Sequence, residues 1–492
     1  KGVENMKIFK RIVLGFLIVV VTIVFLFWLF IGPWPVYKDN RFAEKNYYKK
    51  ALQAIDEGAA RNDFTANPSR LQAGWAEVTI TPKIGTPMAG YGGRPDGKRS
   101  RGVRDELHCR VLAVSDGKDM AAIVTTDMLL TPPTVAELVW QKAPQRTPLD
   151  RHNIYFTASH THCGPGGTLP GLAGTFSSGA YDPTVPEFLA ERVTEALEAA
   201  CNSLAPAKFA HGMVDAEQYI RNRARKGPVD NALQYLLFEK ENGDRAVLVR
   251  FSAHPTNFDQ DMMDFTAEFP GELCRALAPQ VKGMAMYAGG GLGSMSPRAP
   301  EAPTPSDRIV LLGQALAKLV VDDLAAHPPQ FVDRADIAAL SVDVGTSSFQ
   351  MRPISPKWRL SPLAYLVAGV KKEGAVQALR LGNVIFVGLP FDVSGELCRE
   401  WREAMAPRGI DLWVTSFAPG YLGYLSPDKY YNETEEKGTL GYEIGLMNWF
   451  GPSTGSYMEA LTRRVVDDLC PASSPLTVAA PQATTTPQRE AA

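Results

Sequence analysis

The longest apolar stretch of the chain lies near its beginning. Residues 12–31 carry no charged side chain, and a helix of that length covers a hydrocarbon core of about 30 Å. Lys7, Lys10 and Arg11 precede the stretch and Pro33 follows it. Because basic residues stay on the cytoplasmic side, this order predicts a signal anchor with a cytoplasmic amino terminus. Everything after the anchor is then expected on the periplasmic or extracellular side.

Shorter patterns follow the anchor. Residues 41–60 show helical spacing of apolar side chains, which predicts a helix next to the membrane. Buried strands are predicted where short runs are rich in β-branched and aromatic residues, and amphipathic helices where the spacing is helical. The predicted strands are 111–114, 121–126, 153–158, 246–253, 284–288 and 412–417, with a hairpin of 375–381 and 384–389; the predicted helices are 186–204 and 309–327. This alternation favours a mixed α/β fold.

The same patterns divide the chain. Residues 1–35 form the stub and transmembrane anchor, residues 36–73 a helical juxtamembrane segment, and residues 74–470 a single catalytic domain without an obvious linker. Residues 471–492 are rich in Pro, Ala, Thr and Ser, which predicts a disordered tail.

Composition narrows the possible functions. A formal charge of −2 argues against broad nucleic-acid binding. The six cysteines lack CxxC spacing, so they predict no zinc ribbon, and disulfide pairing stays open. The acidic group Asp259, Asp261, Asp264 and Glu268 favours a solvated turn over a calcium loop, because its spacing matches no known loop.

Two of the seven histidines give the clearest chemical signal. His160 and His162 follow the predicted strand 153–158 and precede a glycine-rich turn. Side chains two apart on an extended backbone point the same way, so both imidazoles are expected in one pocket. Imidazole is both a common metal ligand and an acid/base near neutral pH. The alternative is a pair of buried, hydrogen-bonded histidines.

Other polar residues also follow predicted strands, where an α/β scaffold carries its functional groups. They are His254 after 246–253, Ser294 and Ser296 in the glycine-rich segment after 284–288, Asp392 after 384–389, and Tyr421 and Tyr424 after 412–417.

In order and spacing, these segments resemble the neutral ceramidase family over about residues 74–470. The most specific element is the motif His-Thr-His-x-Gly-Pro-Gly-Gly, which begins at His160. Four further motifs support the resemblance: Thr-Ile-Thr-Pro followed by Met-Ala-Gly-Tyr, His254-Pro, Met-Ser296-Pro, and Gly-Tyr-Glu followed by Phe-Gly-Pro. The resemblance implies a mixed-sheet catalytic domain and a zinc-dependent amidase that cleaves the N-acyl bond of ceramide. The zinc ligands that it implies are His160, His254, Asp392 and Tyr424.

The resemblance also implies roles beside the metal. His162 contacts substrate or transfers a proton, Arg223 contacts substrate, and Ser296 matches a serine of the family's Gly-Asp-x-Ser-Pro loop. Ser296 or Tyr421 is expected to position the oxyanion or a substrate hydroxyl. Three positions depart from the family pattern: Ser294, which is expected to contact substrate, replaces an aspartate of that loop, Asp392 replaces a glutamate, and the residue before Asp392 replaces a glycine. The family's carboxy-terminal immunoglobulin-like domain is not expected here.

The sequence therefore predicts a membrane-anchored, zinc-dependent hydrolase that releases a fatty acid and an amine from an N-acylated lipid. An amidase or esterase for another acylated substrate stays open, as does an inactive, membrane-tethered binding protein. At the residue level, Asp392 is also suited to capping a helix, Tyr424 to packing and Arg223 to a solvated face. No nucleic-acid partner is expected, and the oligomeric state stays open.

Overall fold

The computed structural model describes residues 2–62, 64, 70–434 and 440–471. The helices of these residues are α1 Gly2–Phe30, α2 Asn46–Ala59, α3 Pro133–Lys142, α4 Gly171–Ser178, α5 Thr184–Asn202, α6 Glu268–Val281, α7 Pro305–Ala326, α8 Ala364–Ala368, α9 Gly395–Met405 and α10 Thr454–Leu469. The strands are β1 Trp34–Pro35, β2 Gln72–Thr79, β3 Gly102–Val103, β4 His108–Ser115, β5 Met120–Thr126, β6 Ile154–Ala158, β7 Ala205–Asp215, β8 Ile220–Asn222, β9 Ala232–Lys240, β10 Arg245–Phe251, β11 Asp264–Phe265, β12 Gly283–Gly289, β13 Met295–Pro297, β14 Ile337–Gly345, β15 Trp358–Arg359, β16 Glu373–Leu381, β17 Val384–Gly388, β18 Asp392–Val393, β19 Asp411–Thr415 and β20 Tyr424–Leu425.

The larger sheet has eight strands in the order β12-β10-β9-β7-β2-β4-β5-β6. The pairs β10–β12 and β5–β6 are parallel and the other pairs antiparallel, so the sheet is mixed. Helices α3 and α5 cover one half of its outer face, and α6 and α7 cover the other half. Strands such as β4 and β10 are buried on both faces, which explains their continuous apolar runs.

The smaller sheet has four strands in the order β14-β16-β17-β19. Its inner face packs on the larger sheet, where Phe386 and Trp413 join Leu112, Phe209 and Leu236 in one buried cluster. Its outer face is covered by α2, α9 and α10. The result is four layers, helices on the outside and two mixed sheets inside, which confirms the predicted α/β class.

The juxtamembrane helix is part of this body. Ile55 of α2 is fully buried in the cluster that fills the outer face of the smaller sheet. The rings of Tyr47 and Tyr48 lie 5.1 and 6.1 Å from the ring of Tyr457 on α10. Residues 46–59 therefore share the core of the predicted catalytic domain.

Helix α1 stands apart from this core. Its residues Glu4–Phe30 are long and apolar enough to cross a membrane, with a mean hydropathy of 3.1 and none of the most apolar window buried. Both a membrane anchor and a signal sequence have these properties. The end of the helix is tied to the body, because the amide of Ser361 donates to the carbonyl of Ile31 at 3.0 Å and Trp34 pairs with Arg359.

Each element that the sequence patterns predicted lies within a few residues of an observed one. All the predicted strands and helices occur, and the hairpin forms between β16 and β17 with Gly382 at φ +61°. Among the longer elements, patterning did not reveal β2, β7, β9 and β14, nor helices α3, α6 and α10. All six cysteines are free thiols. The predicted tail lies outside the described residues except for Pro471.

Candidate metal and catalytic site

The candidate residues meet where strands of both sheets end. The edge strands β6 and β12 of the larger sheet approach each other, so that a Cβ atom built on Gly289 would lie 2.7 Å from the carbonyl oxygen of Ala158. This curl brings the segment after β6 to those after β10 and β12. The smaller sheet adds the segments after β17 and β19, since the amide of Ser416 donates to the carbonyl of Gly289 at 3.2 Å.

Three imidazoles converge at this point. The Nε2 atom of His254 lies 3.0 Å from Nε2 of His160 and 2.9 Å from Nε2 of His162, and the other two are 3.3 Å apart. His160 and His254 are buried, and His162 is partly buried. Lone pairs at such distances repel one another unless a proton or a cation lies between them, so the cluster is suited to holding a metal ion.

The three imidazoles are oriented differently. The Nδ1 atom of His160 lies against the carbonyl of Leu129, and that of His254 lies 3.3 Å from the carbonyl of Leu292. A carbonyl can only accept, so both rings carry hydrogen on Nδ1 and direct the Nε2 lone pair inward, as metal-bound histidines usually do. Within the described residues, Nδ1 of His162 has no hydrogen-bond partner, which leaves that ring free to exchange a proton.

Two residues at the site adopt a strained backbone. His160 has φ +66° and Phe417 has φ +67°, in the left-handed region that non-glycine residues rarely occupy. Their rings stack with centroids 4.1 Å apart and planes 11° from parallel. The Phe417 ring thus packs against one face of the His160 imidazole and holds the plane of that ring. The sequence showed Phe417 only as the end of a strand.

Burial keeps all three imidazoles neutral. It lowers the pKa of His160 to about 3, partly offset by the carbonyl of Leu129. Burial also lowers the pKa of His162 and His254 well below 6.5, and the nearby charge of Arg223 lowers both further. Neutral imidazole is the form that binds a metal.

A buried carboxylate lies beside the histidines. One oxygen of Asp392 is 3.9 Å from Nε2 of His160 and 3.8 Å from Nδ1 of His254. Asp392 is fully buried, and neither oxygen meets the full distance and angle of a hydrogen bond with a described residue, although the Tyr424 hydroxyl lies close enough to lower the pKa of the carboxyl. Burial raises the pKa of Asp392 to about 7, and Arg223 opposes that rise. A buried carboxylate without full hydrogen bonds is costly unless a cation neutralises it.

Tyr424 is the fourth residue of the predicted ligand set. It pairs with Asp392 through the parallel bridge of β18 and β20, and it is buried. Burial raises its pKa well above 10 and the charge of Asp392 raises it further, whereas Arg223 lowers it. The Arg223 guanidinium donates to the phenol oxygen at 3.0 Å and to the carbonyl of Gly293. Arg223 is therefore placed to stabilise negative charge on Tyr424.

The other predicted site residues are spread over several positions. Tyr421 is partly buried, and its ring lies 6.3 Å from Phe417 and 5.2 Å from Trp449. Ser296 is 8% exposed and lines a separate pocket. Ser294 is fully buried, and its hydroxyl bonds to Ser394 and to the amide of Gly395 at the start of α9. The Ser294 hydroxyl is thus engaged in hydrogen bonds within the protein. The expected contact of Ser294 with substrate stays a prediction.

Sequence reasoning missed two residues that support His162. The Tyr91 ring lies 4.7 Å from the His162 ring, and the Arg94 guanidinium donates to the carbonyl of His162. The approach requires Gly90, because a Cβ atom there would lie 2.8 Å from the backbone of His162. The Met-Ala-Gly-Tyr motif was the signal for Tyr91. No pattern indicated Arg94.

The prediction of a solvated acidic turn is wrong for Glu268. Its side chain is fully buried and accepts hydrogen bonds from the amides of Asn257 and Phe258, at 2.9 and 3.2 Å. It adopts φ +56° at the start of α6. Burial raises its pKa to about 7. Glu268 therefore holds the loop that follows His254, a role that charge spacing could not reveal.

Comparison with known proteins shows which family and which folds the chain is similar to. Residues 71–271 match the family model of neutral/alkaline non-lysosomal ceramidase, N-terminal. This match confirms the resemblance to the neutral ceramidase family that the sequence motifs predict. No relative was found among curated proteins.

The fold of the chain is similar to those of solved ceramidases. Neutral ceramidase from Pseudomonas aeruginosa matches with a TM-score of 0.70 at 17% identity, over 82% of this chain and 74% of that one. A ceramidase complexed with C2 matches with a TM-score of 0.70 at 16% identity, over 82% of this chain and 75% of that one. At such identities the likeness establishes a shared fold.

Proposed function

We propose that this protein is a zinc-dependent amidase that hydrolyses the N-acyl bond of ceramide or a ceramide-like lipid, anchored to the membrane by α1. The observation that carries the proposal is the convergence of three imidazole Nε2 atoms within 3.3 Å, beside a fully buried carboxylate that makes no full hydrogen bond to the described residues. The match of residues 71–271 to the ceramidase family model supports the lipid amide as substrate.

The donor atoms suit zinc. Two nitrogens that each lie about 2.1 Å from one tetrahedral zinc ion are about 3.4 Å apart, and the Nε2 atoms of His160 and His254 lie 3.0 Å apart. His160, His254, Asp392 and Tyr424 are the proposed ligands. His162 points its Nε2 at the same centre, so a third imidazole ligand is the alternative. When bound, zinc would act as a Lewis acid toward the amide carbonyl and lower the pKa of a coordinated water.

The reaction adds the oxygen of water to the amide carbon and breaks the carbon–nitrogen bond. One proton of that water ends on the leaving nitrogen, because an amine anion is a poor leaving group. The neutral His162, with Nδ1 unpaired in the described structure, is the proposed carrier of that proton. A fatty acid and an amine leave.

Other side chains are proposed to stabilise the negative charge that develops during the reaction. Tyr421, beside Phe417, is proposed to donate to the oxyanion or to a hydroxyl of the substrate. Arg223 positions Tyr424 and stabilises negative charge on its oxygen. Ser296 is proposed to bind a substrate hydroxyl rather than to act as a nucleophile, since no Gly-x-Ser-x-Gly elbow surrounds it.

A panel of N-acyl lipids tests the proposal. Purified full-length protein, loaded with zinc, should release fatty acid from ceramide, and the His162→Ala variant should not. Release only from acyl esters or from other acylated amines would assign the site to a different hydrolase. Lipid binding without any hydrolysis would favour a binding protein. A covalent acyl adduct on Ser296, found by mass spectrometry, would contradict attack by water.

A further inference from the structure

A second pocket of about 400 Å³ is lined by three arginines, Arg221, Arg298 and Arg308. All three side chains are exposed. Throughout the described ranges, none of these guanidinium groups has an ion-pair or hydrogen-bond partner. Three unpaired cations around one concave surface create a positive potential that an anion would neutralise.

The floor of this pocket is polar. Ser296 is 8% exposed, and no described residue bonds to its hydroxyl. Thr256 and Asn257 complete the lining. The nearest acid along the chain from Arg308 is Asp307, which is bonded to Thr304 at 2.7 Å. The pocket therefore offers hydrogen-bond donors together with unneutralised positive charge.

Two short segments connect the pocket to the histidine cluster. Thr256 follows His254 by two residues, and its amide donates to the carbonyl of His254 at 2.8 Å. Arg221 precedes Arg223 by two residues on the segment that reaches Tyr424. Two residues span at most about 7 Å, so each segment places part of the pocket lining within that reach of His254 or Arg223.

We propose that the pocket formed by Arg221, Ser296, Arg298 and Arg308 binds an anionic headgroup (phosphate, sulfate or carboxylate) on the amine portion of the substrate. Guanidinium groups bind such oxyanions through paired, charge-assisted hydrogen bonds. This inference rests on the proposed function. Under this inference, the preferred substrate of the enzyme is an acidic N-acyl lipid rather than neutral ceramide.

Two lipids of equal chain length test the inference, a ceramide and the same ceramide phosphorylated on its primary hydroxyl. Full-length protein should show kcat/KM about tenfold or more higher for the phosphorylated lipid. Arg298→Gln and Arg308→Gln should each reduce that ratio. Arg463→Gln is the matched control, because Arg463 is an exposed arginine of α10 that pairs with Glu459.

Binding separates the inference from the proposed function. If neither lipid is hydrolysed, the protein should still bind micelles of the phosphorylated lipid more tightly than micelles of the ceramide. Weaker binding of the phosphorylated lipid by Arg308→Gln would then support the headgroup pocket. Equal binding of both lipids overturns it. Competition by inorganic phosphate as strong as that by the phosphorylated lipid would assign the pocket to a free anion, which also overturns the lipid headgroup.

A separate observation concerns apolar side chains on the surface of α4 and α8. Leu172 and Phe176 of α4 are 66% and 70% exposed, and Leu366 and Val367 of α8 are 60% and 54% exposed. The two helices touch, because Gly171 lies against the end of α8. We call these four residues the apolar face. Exposed apolar side chains grouped on two touching helices mark an interaction surface.

The apolar face is continuous with the end of the membrane-spanning helix. Ser361, three residues before α8, donates its hydroxyl to the carbonyl of Leu29 at 2.5 Å and its amide to the carbonyl of Ile31. Wherever α1 leaves a bilayer, α8 therefore lies close to the lipid surface.

The other side of the apolar face adjoins the histidine cluster. Helix α4 follows the glycine-rich turn after His162, and the amide of Gly90 donates to the carbonyl of Ser177 at 2.9 Å. Tyr91 then contacts the His162 ring. We infer that the apolar face inserts into the lipid surface around α1 and sets the mouth of the site against the bilayer. This inference rests on the proposed anchoring by α1.

A photoactivatable phospholipid with its reactive group in the acyl chain tests this inference without any hydrolysis. In vesicles that contain the full chain, peptides of residues 171–178 and 364–368 should be labelled along with α1. Phe176→Asp combined with Leu366→Asp should remove their label, whereas Leu311→Asp, at a 40% exposed site on α7, should not. Labelling of α1 alone would overturn the inference, and labelling of none of these helices would reject the anchor itself.

Discussion

At the scale of single residues, the backbone carbonyls of Leu129 and Leu292 distinguish the three imidazoles. Each carbonyl lies at the Nδ1 atom of one ring, His160 or His254, and so fixes which nitrogen faces the centre. His162 has no such partner among the residues described, although its Nε2 is equally close to the others. The proposed roles of holding a metal and of moving a proton are therefore separable by substitution.

The first prediction concerns metal content. His160→Ala and His254→Ala each remove an oriented ligand, so elemental analysis should find most of the zinc missing from both variants. His327→Ala is the control, because His327 is half-exposed and pairs with Asp323. Full zinc occupancy in both cluster variants would reject the proposed ligand set.

The second prediction concerns proton transfer. His162→Ala should retain zinc and lose turnover, mainly in kcat, by roughly 10²–10⁴-fold, because the lost interaction belongs to the transition state. Steady-state kinetics and elemental analysis on the same preparation check both parts. Loss of zinc along with activity would make His162 a metal ligand instead.

The third prediction concerns pH and Glu268. Its pKa rises from 4.5 to about 7 on folding, so the native carboxyl holds a proton that the unfolded one releases. Its contribution to stability is complete below about pH 4.5 and is lost as the pH rises through about 7, a change of roughly 3 kcal/mol. Glu268→Gln should flatten this part of the stability profile, measured by denaturant unfolding. An unchanged profile in the variant would contradict the prediction.

At the scale of elements, the curl of the larger sheet brings the histidines together. Strands β6 and β12 lie at opposite ends of the strand order, yet Gly289 of β12 faces the carbonyl of Ala158. A side chain at Gly289 would keep these ends apart. The site therefore depends on the closeness of two strands that share no ladder.

The fourth prediction tests this dependence. Gly289→Ala should destabilise the fold by about 1–3 kcal/mol, because its Cβ would meet a backbone atom at 2.7 Å, and should weaken zinc binding. Gly345→Ala is the matched control, since a Cβ there makes an ordinary contact of 3.7 Å with Tyr47. Equal unfolding free energies for the two variants would contradict the prediction, because they would show that β6 and β12 can move apart without loss of stability.

At the scale of the whole molecule, orientation in the membrane follows from charge. Basic residues precede the apolar stretch of α1, so the amino terminus is expected in the cytoplasm and the four-layer body outside. A reporter that is active only outside the cytoplasm, fused after Cys470, should therefore be active. Activity of a cytoplasmic reporter at the same position would reverse the orientation.

The sequence by itself determined the local features of this protein. Apolar runs located the strands and α1, and the spacing of His160 and His162 marked a site, because period and composition act over a few neighbouring residues. The tertiary structure alone decided which distant residues meet. His160 and His254 are 94 positions apart, and they touch only because the larger sheet curls and the smaller sheet covers its end. The burial of Glu268 and the contact of Arg223 with Tyr424 likewise arise from packing between segments that no local pattern connects.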